Sequence, residues 1–213
     1  MNEIIIAIHG FSGCLVAVLG LVQILLRKGG RIHRILGRIY ALAWLMLVIS
    51  GSMIGYLLIT LIGILGMYMV YTGYRFGAKK TIDLSVFDRA MIILANGIAL
   101  ATLTWGIYHL TQRHYNIGVI GSFFGFIFFM SSFQDYREFI QKKATKKTSG
   151  HRLQWLFEHY GRMYVSYIAA MTAFSALQNV FGIEIINWLA PTFIGGALVA
   201  WSNRYYYKLH KVK

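Results

Sequence analysis

Long apolar stretches separated by short basic tracts dominate the pattern of hydrophobic and polar positions along this chain. A helix needs about 20 apolar residues to cross the hydrocarbon core of a bilayer. The first stretch, residues 4–26, meets that length and is followed by Arg27 and Lys28. The pattern therefore predicts an all-α fold, a polytopic transmembrane helical bundle.

The second apolar stretch, residues 39–74, holds 36 residues and no charge. As one helix it would measure about 54 Å, which is too long for a single span and somewhat short for two. We predict a tight helical hairpin that turns near Gly55 and Tyr56. The chain then has seven spans in a single transmembrane domain covering residues 1–213. The predicted spans are residues 4–26, 39–55, 57–74, 90–110, 117–134, 163–181 and 185–203.

The distribution of basic residues tests this number of spans. With the N-terminus outside and the C-terminus cytoplasmic, 20 of the 21 Lys and Arg residues lie on the cytoplasmic side, and only Arg113 lies outside. Cytoplasmic loops of membrane proteins carry such an excess of basic residues. If residues 39–74 formed one span, the two middle basic loops would lie outside. The charge pattern therefore favours the hairpin.

Composition narrows the classes of partner. Only 13% of the residues are charged, about half the share typical of soluble domains. The formal net charge is +14, but the basic residues lie in short tracts between apolar runs and not on a soluble face. We expect contacts with membrane lipids, with anionic headgroups on the cytoplasmic side, and no nucleic acid. The single cysteine, Cys14, excludes an intramolecular disulfide.

Two histidines near the outer side are candidates for chemistry. His9 lies within the first span, where an ionisable residue is by default a functional candidate. His109 ends the fourth span. Two histidines that face each other on neighbouring helices can ligate a haem iron axially. The alternative is that His9 bonds a carbonyl or hydroxyl of a neighbouring helix and that His109 faces interfacial water.

A second candidate site lies at the cytoplasmic helix ends. His33 and His159 form an inner pair of candidate haem ligands, and no metal beyond a haem iron is expected. Converging guanidiniums at the same ends would hold a lipid headgroup, haem propionates or an anionic substrate. The arginines concerned are Arg34, Arg38, Arg89, Arg152 and Arg162. The alternative is positive-inside anchoring to lipid phosphate.

Repeated short motifs add further expectations. Gly37-Arg38-Ile39-Tyr40 and Gly161-Arg162-Met163-Tyr164 each follow a histidine and open a span. They indicate either chance or a 3+1+3 layout with parallel repeats, which some transporters use. The GxxxG pairs Gly51/Gly55 and Gly121/Gly125 favour close helix packing within the bundle, and a homo-oligomer through these faces is the other interpretation.

No catalytic motif such as HExxH, GxSxG, Walker A or CxxC occurs, so the pattern leaves open whether the chain is an enzyme. Several segments carry a resemblance instead. They are Ile8-His9-Gly10, Arg27-Lys28-Gly29-Gly30, His33-Arg34-x-x-Gly37-Arg38, Thr72-Gly73-Tyr74-Arg75 and His159-x-Gly161-Arg162. Together the chain resembles bacterial multi-pass proteins described only as predicted membrane proteins with an HRxxGR signature, which implies an inner-membrane bundle and transfers no catalytic residues.

A looser likeness, resting on histidines near both faces, is to cytochrome b561-type bundles, although four ligands at matching depths are not evident. The sequence therefore predicts a b-type haem-binding or redox membrane protein, with haem b as the candidate cofactor. Two alternatives remain open. One is a small-solute or lipid transporter, and the other is a structural or regulatory subunit that binds anionic lipid.

Overall fold

The computed structural model describes residues 3–81, 83–141 and 154–209, without the side chains of residues 203 and 205–209. Every element in this part of the chain is helical, which confirms the all-α prediction. The helices are α1 (Glu3–Leu25), α2 (Arg31–Ile54), α3 (Leu57–Lys79), α4 (Val86–Thr111), α5 (Tyr115–Asp135), α6 (Gln154–Gln178) and α7 (Glu184–Leu209). A π-helical turn, Tyr136–Gln141, extends α5.

Six of these helices, α1 to α5 and α7, are long and apolar enough to cross a membrane. They support a multi-pass membrane protein. The helix that falls short is α6, whose buried face consists of small and mostly polar residues: Ser166, Ala169, Thr172 and Ser175. The seventh span and the orientation of the termini stay predictions.

The predicted turn between the second and third helices is confirmed. Helix α2 ends at Ile54, and Gly55 follows with φ of 92°. This left-handed conformation suits glycine, which has no Cβ to clash with the backbone. A Cβ on Gly66 of α3 would overlap the indole ring of Trp44 on α2, so the two helices pack closely behind the turn.

The chain forms two compact units. The five-helix unit comprises Met1–Ala78 and Phe157–Lys213, and so contains α1, α2, α7 and nearly all of α3 and α6. The hairpin unit comprises Lys79–Leu156, with α4, α5 and the π-helical turn. Because α5 belongs with α4, this division does not follow the 3+1+3 layout, in which α5 would accompany α6 and α7.

Glycines bring the two helices of the hairpin unit into backbone contact. A Cβ on Gly106 would overlap backbone atoms of Ser122 and Gly121, and one on Gly125 would lie 2.6 Å from the Cα of Leu103. The Asn96 side-chain amide donates to the Ser132 carbonyl at 2.9 Å, which adds a polar tie between α4 and α5. The second GxxxG pair therefore packs a helix against its neighbour, as predicted, while a homo-oligomer through it stays a prediction.

The two glycines of the first GxxxG pair, Gly51 and Gly55, have different roles. A Cβ on Gly51 would lie 3.0 Å from Cε1 of His9, so this glycine makes room for the imidazole that α1 presents. Gly55 lies in the turn after α2 and not on a helix face. Small residues thus serve internal packing at both positions.

Candidate functional site

The five-helix unit brings the inner pair of histidines together. His33 lies in the first turns of α2, and His159 lies in the second turn of α6. Their ring centroids are 6.2 Å apart, and their planes are nearly perpendicular at 85°. The two residues are 126 positions apart in sequence, so only the packing of α2 on α6 accounts for the contact.

A second contact fixes the register of α2 and α6. The Tyr40 hydroxyl lies 2.9 Å from Oγ of Ser166, and both groups are buried. Tyr40 follows His33 by seven residues, and Ser166 follows His159 by seven, which is about two helical turns in each case. The helices therefore run parallel and meet at two successive levels about 10 Å apart along their axes.

Helix α3 orients the His159 ring. Nδ1 of His159 lies 2.7 Å from the Gly73 carbonyl, so Nδ1 carries the proton and donates it, which leaves the lone pair on Nε2. A Cβ on Gly77 would lie 2.6 Å from the same Nδ1, so a glycine is needed there. Burial lowers the pKa of His159; the Gly73 hydrogen bond opposes this shift, and the charge of Lys28 adds to it. His159 precedes the predicted span, residues 163–181, and burial favours the neutral form of its imidazole.

Two buried polar atoms at the histidine pair, one on His33 and one on Gln23, have no hydrogen-bond partner among the described residues. They are Nδ1 of His33 and Oε1 of Gln23. The Gln23 amide donates to the His33 carbonyl at 2.8 Å, which holds the two residues together. Buried polar atoms of this kind need a bonding partner, because leaving them dry costs roughly 1–3 kcal/mol each.

Lys28 closes the site on the α1 side. Its ammonium donates to the carbonyls of Gln23 and Ile24, both at 2.7 Å, and so satisfies the last turn of α1. Burial lowers the pKa of Lys28. The site thus combines two imidazoles and one partly desolvated ammonium.

The arginines predicted to bind anions differ in whether an acidic side chain already pairs with them. Nε and Nη2 of Arg162 donate to Oε2 of Glu158 at 3.0 and 2.8 Å, and Nη1 donates to Oγ1 of Thr72 at 3.1 Å. Glu158 therefore neutralises this guanidinium, and an anion would have to compete with it. The exposed members are Arg34, Arg38 and Arg89, whereas Arg152 lies outside the described residues. Headgroup binding by these residues stays a prediction.

The outer histidines contact other groups than each other. Nδ1 of His9 lies 3.2 Å from the Leu47 carbonyl and 3.2 Å from Oγ of Ser50, the helix-to-helix contact that the alternative interpretation predicts. His109 belongs to the hairpin unit, and its Nδ1 lies 3.3 Å from Nδ1 of His114. Haem ligation by His9 and His109 stays a prediction that no contact here supports.

Sequence reasoning missed the groups that orient the candidate ligands. The Gly73 carbonyl lies on α3 and Lys28 lies in the turn after α1, and neither was assigned a role at the histidines. His114 was placed in the loop after the fourth span but was not paired with His109. Among the described residues, no group of three or more His, Cys, Asp or Glu side chains is placed to hold a metal ion. Fold and site together define a multi-pass α-helical membrane protein with a half-buried histidine pair. Comparison with protein-family models, curated proteins and solved structures finds no match.

Proposed function

We propose that this protein is a b-type haem-binding membrane protein in which His33 and His159 are the axial ligands. The observation that carries the proposal is the spacing of the two rings, 6.2 Å between centroids. Two imidazoles on opposite sides of one metal ion, with metal–nitrogen bonds of about 2.0 Å and each ring centre about 1.1 Å beyond its nitrogen, would have ring centres about 6.2 Å apart. The spacing therefore fits one metal centre between the rings.

The orientation of His159 supports the same role. A ligating histidine usually donates its second ring nitrogen to a carbonyl or carboxylate, which fixes the tautomer and the direction of the lone pair. The Gly73 carbonyl does this for His159 at 2.7 Å. Burial keeps the pKa of His159 low, and only a neutral imidazole can ligate a metal.

Two protein ligands are sufficient for haem. The macrocycle supplies four of the six iron ligands, so the protein needs to provide only two. Bound haem would supply one-electron chemistry.

The charge at the helix ends suits the propionates of a haem. Lys28 at the site, with Arg34 and Arg38 exposed on α2, could pair with the propionates. The Tyr40–Ser166 contact lies about 10 Å further along the helices, away from the two histidines. We further propose a bacterial inner-membrane location with the N-terminus outside, consistent with the distribution of basic residues.

Neither alternative function has a specific contact in its favour. A 3+1+3 transporter would group α5 with α6 and α7, whereas α5 packs on α4 in the hairpin unit. A lipid-binding subunit would keep Arg162 available, whereas Glu158 neutralises it.

The test is the absorption spectrum of protein purified in detergent from haem-replete cells. We expect a Soret band and the split α and β bands of a low-spin bis-histidine haem after reduction. His33→Ala and His159→Ala should each abolish the low-spin spectrum, whereas His9→Ala and His109→Ala should retain it. Colourless wild-type protein that also fails to take up added haemin would refute the function. Loss of haem in the His9 or His109 variant alone would retain the function and overturn the ligand assignment.

A further inference from the structure

The connection between α4 and α5 folds two histidines onto each other. Helix α4 ends at Thr111, and α5 begins at Tyr115. Between them Arg113 takes a left-handed conformation with φ of 63°, and the His114 N–H donates to the His109 carbonyl at 3.0 Å. This tight turn places both imidazoles on one side of the connection.

The resulting geometry is close to that of two ligands on one ion. The Nδ1 atoms of His109 and His114 are 3.3 Å apart, and the ring centroids are 5.5 Å apart. For tetrahedral coordination with metal–nitrogen bonds of 2.0 to 2.1 Å, we calculate about 3.3 Å between the nitrogens and about 5.2 Å between centroids. Without a metal, one N–H···N hydrogen bond occupies the same distance. A metal ion would take the place of the bridging proton, which would move from Nδ1 to Nε2 of the same ring.

The surroundings fix one ligand and leave the site open. The Trp105 ring packs edge-on against His109 with centroids 4.5 Å apart, and the Tyr108 ring lies at 5.8 Å. His114 is exposed, so water can complete the coordination shell. Arg113 carries the one formal charge among residues 112–114 and is exposed, where solvent screens its repulsion of a cation.

We infer that His109 and His114 form a binding site for a divalent transition-metal ion of the kind that imidazole prefers, Zn²⁺, Cu²⁺ or Ni²⁺. The site is separate from the His33–His159 pair and does not depend on haem. In this site the second ligand beside His109 is His114, five residues away in the same unit, and not His9. Because the described part of the chain supplies two ligands here, bound metal would keep exchangeable positions.

The experiment is a titration of detergent-purified protein, without a polyhistidine tag, with Cu²⁺ or Zn²⁺ alone. Cu²⁺ at His109 should quench the Trp105 fluorescence, and electron paramagnetic resonance should show two coordinated nitrogens. His109→Gln and His114→Ala should each weaken binding at least tenfold, and Gln112→Ala should bind as the wild type does.

A second variant separates binding from its optical readout. Trp105→Phe should lose the quenching while calorimetry still shows one equivalent of metal bound. Equal affinity in wild-type protein and His114→Ala would overturn the inference, as would a copper spectrum without nitrogen coupling. A loss of copper only in His33→Ala or His159→Ala would move the site to the inner pair and refute it here.

Discussion

The contact between Tyr40 and Ser166 permits a directional prediction. Oγ of Ser166 donates its single proton to the Met163 carbonyl at 2.8 Å, so the Tyr40 hydroxyl must be the donor in the 2.9 Å contact between them. In Tyr40→Phe the serine keeps its bond to Met163, and one buried hydrogen bond is lost. In Ser166→Ala a buried tyrosine hydroxyl is left without this acceptor. The second change should therefore cost more than the first.

The magnitudes follow from the usual energies of hydrogen bonds. We expect a loss of about 1 kcal/mol for Tyr40→Phe and about 1–3 kcal/mol for Ser166→Ala. The double variant should be less destabilised than the sum, with a coupling of about 0.5–1.5 kcal/mol. Each kcal/mol corresponds to roughly 2–4 °C in the melting temperature for a chain of this size.

The assay is thermal unfolding in one detergent, with a full double-mutant cycle. Tyr56→Phe is the matched control, because Tyr56 is 60% exposed in the turn after α2 and should be silent. Strict additivity of the two single changes would refute the contact. A larger loss for Tyr40→Phe than for Ser166→Ala would refute the assigned direction of donation.

Two further predictions concern packing and pH. Gly106→Ala should destabilise the hairpin unit by about 1–3 kcal/mol in thermal melts, because the added Cβ would overlap the α5 backbone. Gly97→Ala is the control: its Cβ would meet open space, so the change should be neutral or stabilising. Burial holds the pKa of His159 below that of the unfolded chain, so haem-free protein should keep full stability above about pH 6.5 and lose it as the pH falls further. His159→Gln should flatten the melting temperature against pH, and an unchanged slope in that variant would contradict this source of acid sensitivity.

The helices were predictable from the sequence because the thickness of the bilayer sets the length of a span. An uncharged run of 36 residues has few solutions in a bilayer, and the turn at Gly55 is where the hairpin prediction placed it. The ends were harder to predict. Helix α2 begins at Arg31, eight residues before the apolar run, because long basic side chains extend from a helix toward water and do not terminate it.

Sequence reasoning identified the two candidate ligands of the site but not the groups that orient them. His33 and His159 stood out through their shared neighbourhood of glycine and arginine, and the structure places them in contact. Their supporting groups were not predictable, since a backbone carbonyl at Gly73 leaves no side-chain signal. The paired charges at Arg162 were also missed: Glu158 lies four residues earlier on the same helix, a spacing at which side chains meet, yet only the arginine was counted.

The short connection at Gly55 also bears on how the chain enters the membrane. Only Gly55 and Tyr56 separate α2 from α3, and neither is charged. Because the connection is two residues long, α2 cannot insert into the lipid while α3 remains in water with its apolar surface exposed. We therefore expect the two helices to partition into the membrane together. Charged residues added at this turn should therefore slow biogenesis long before they affect the finished protein.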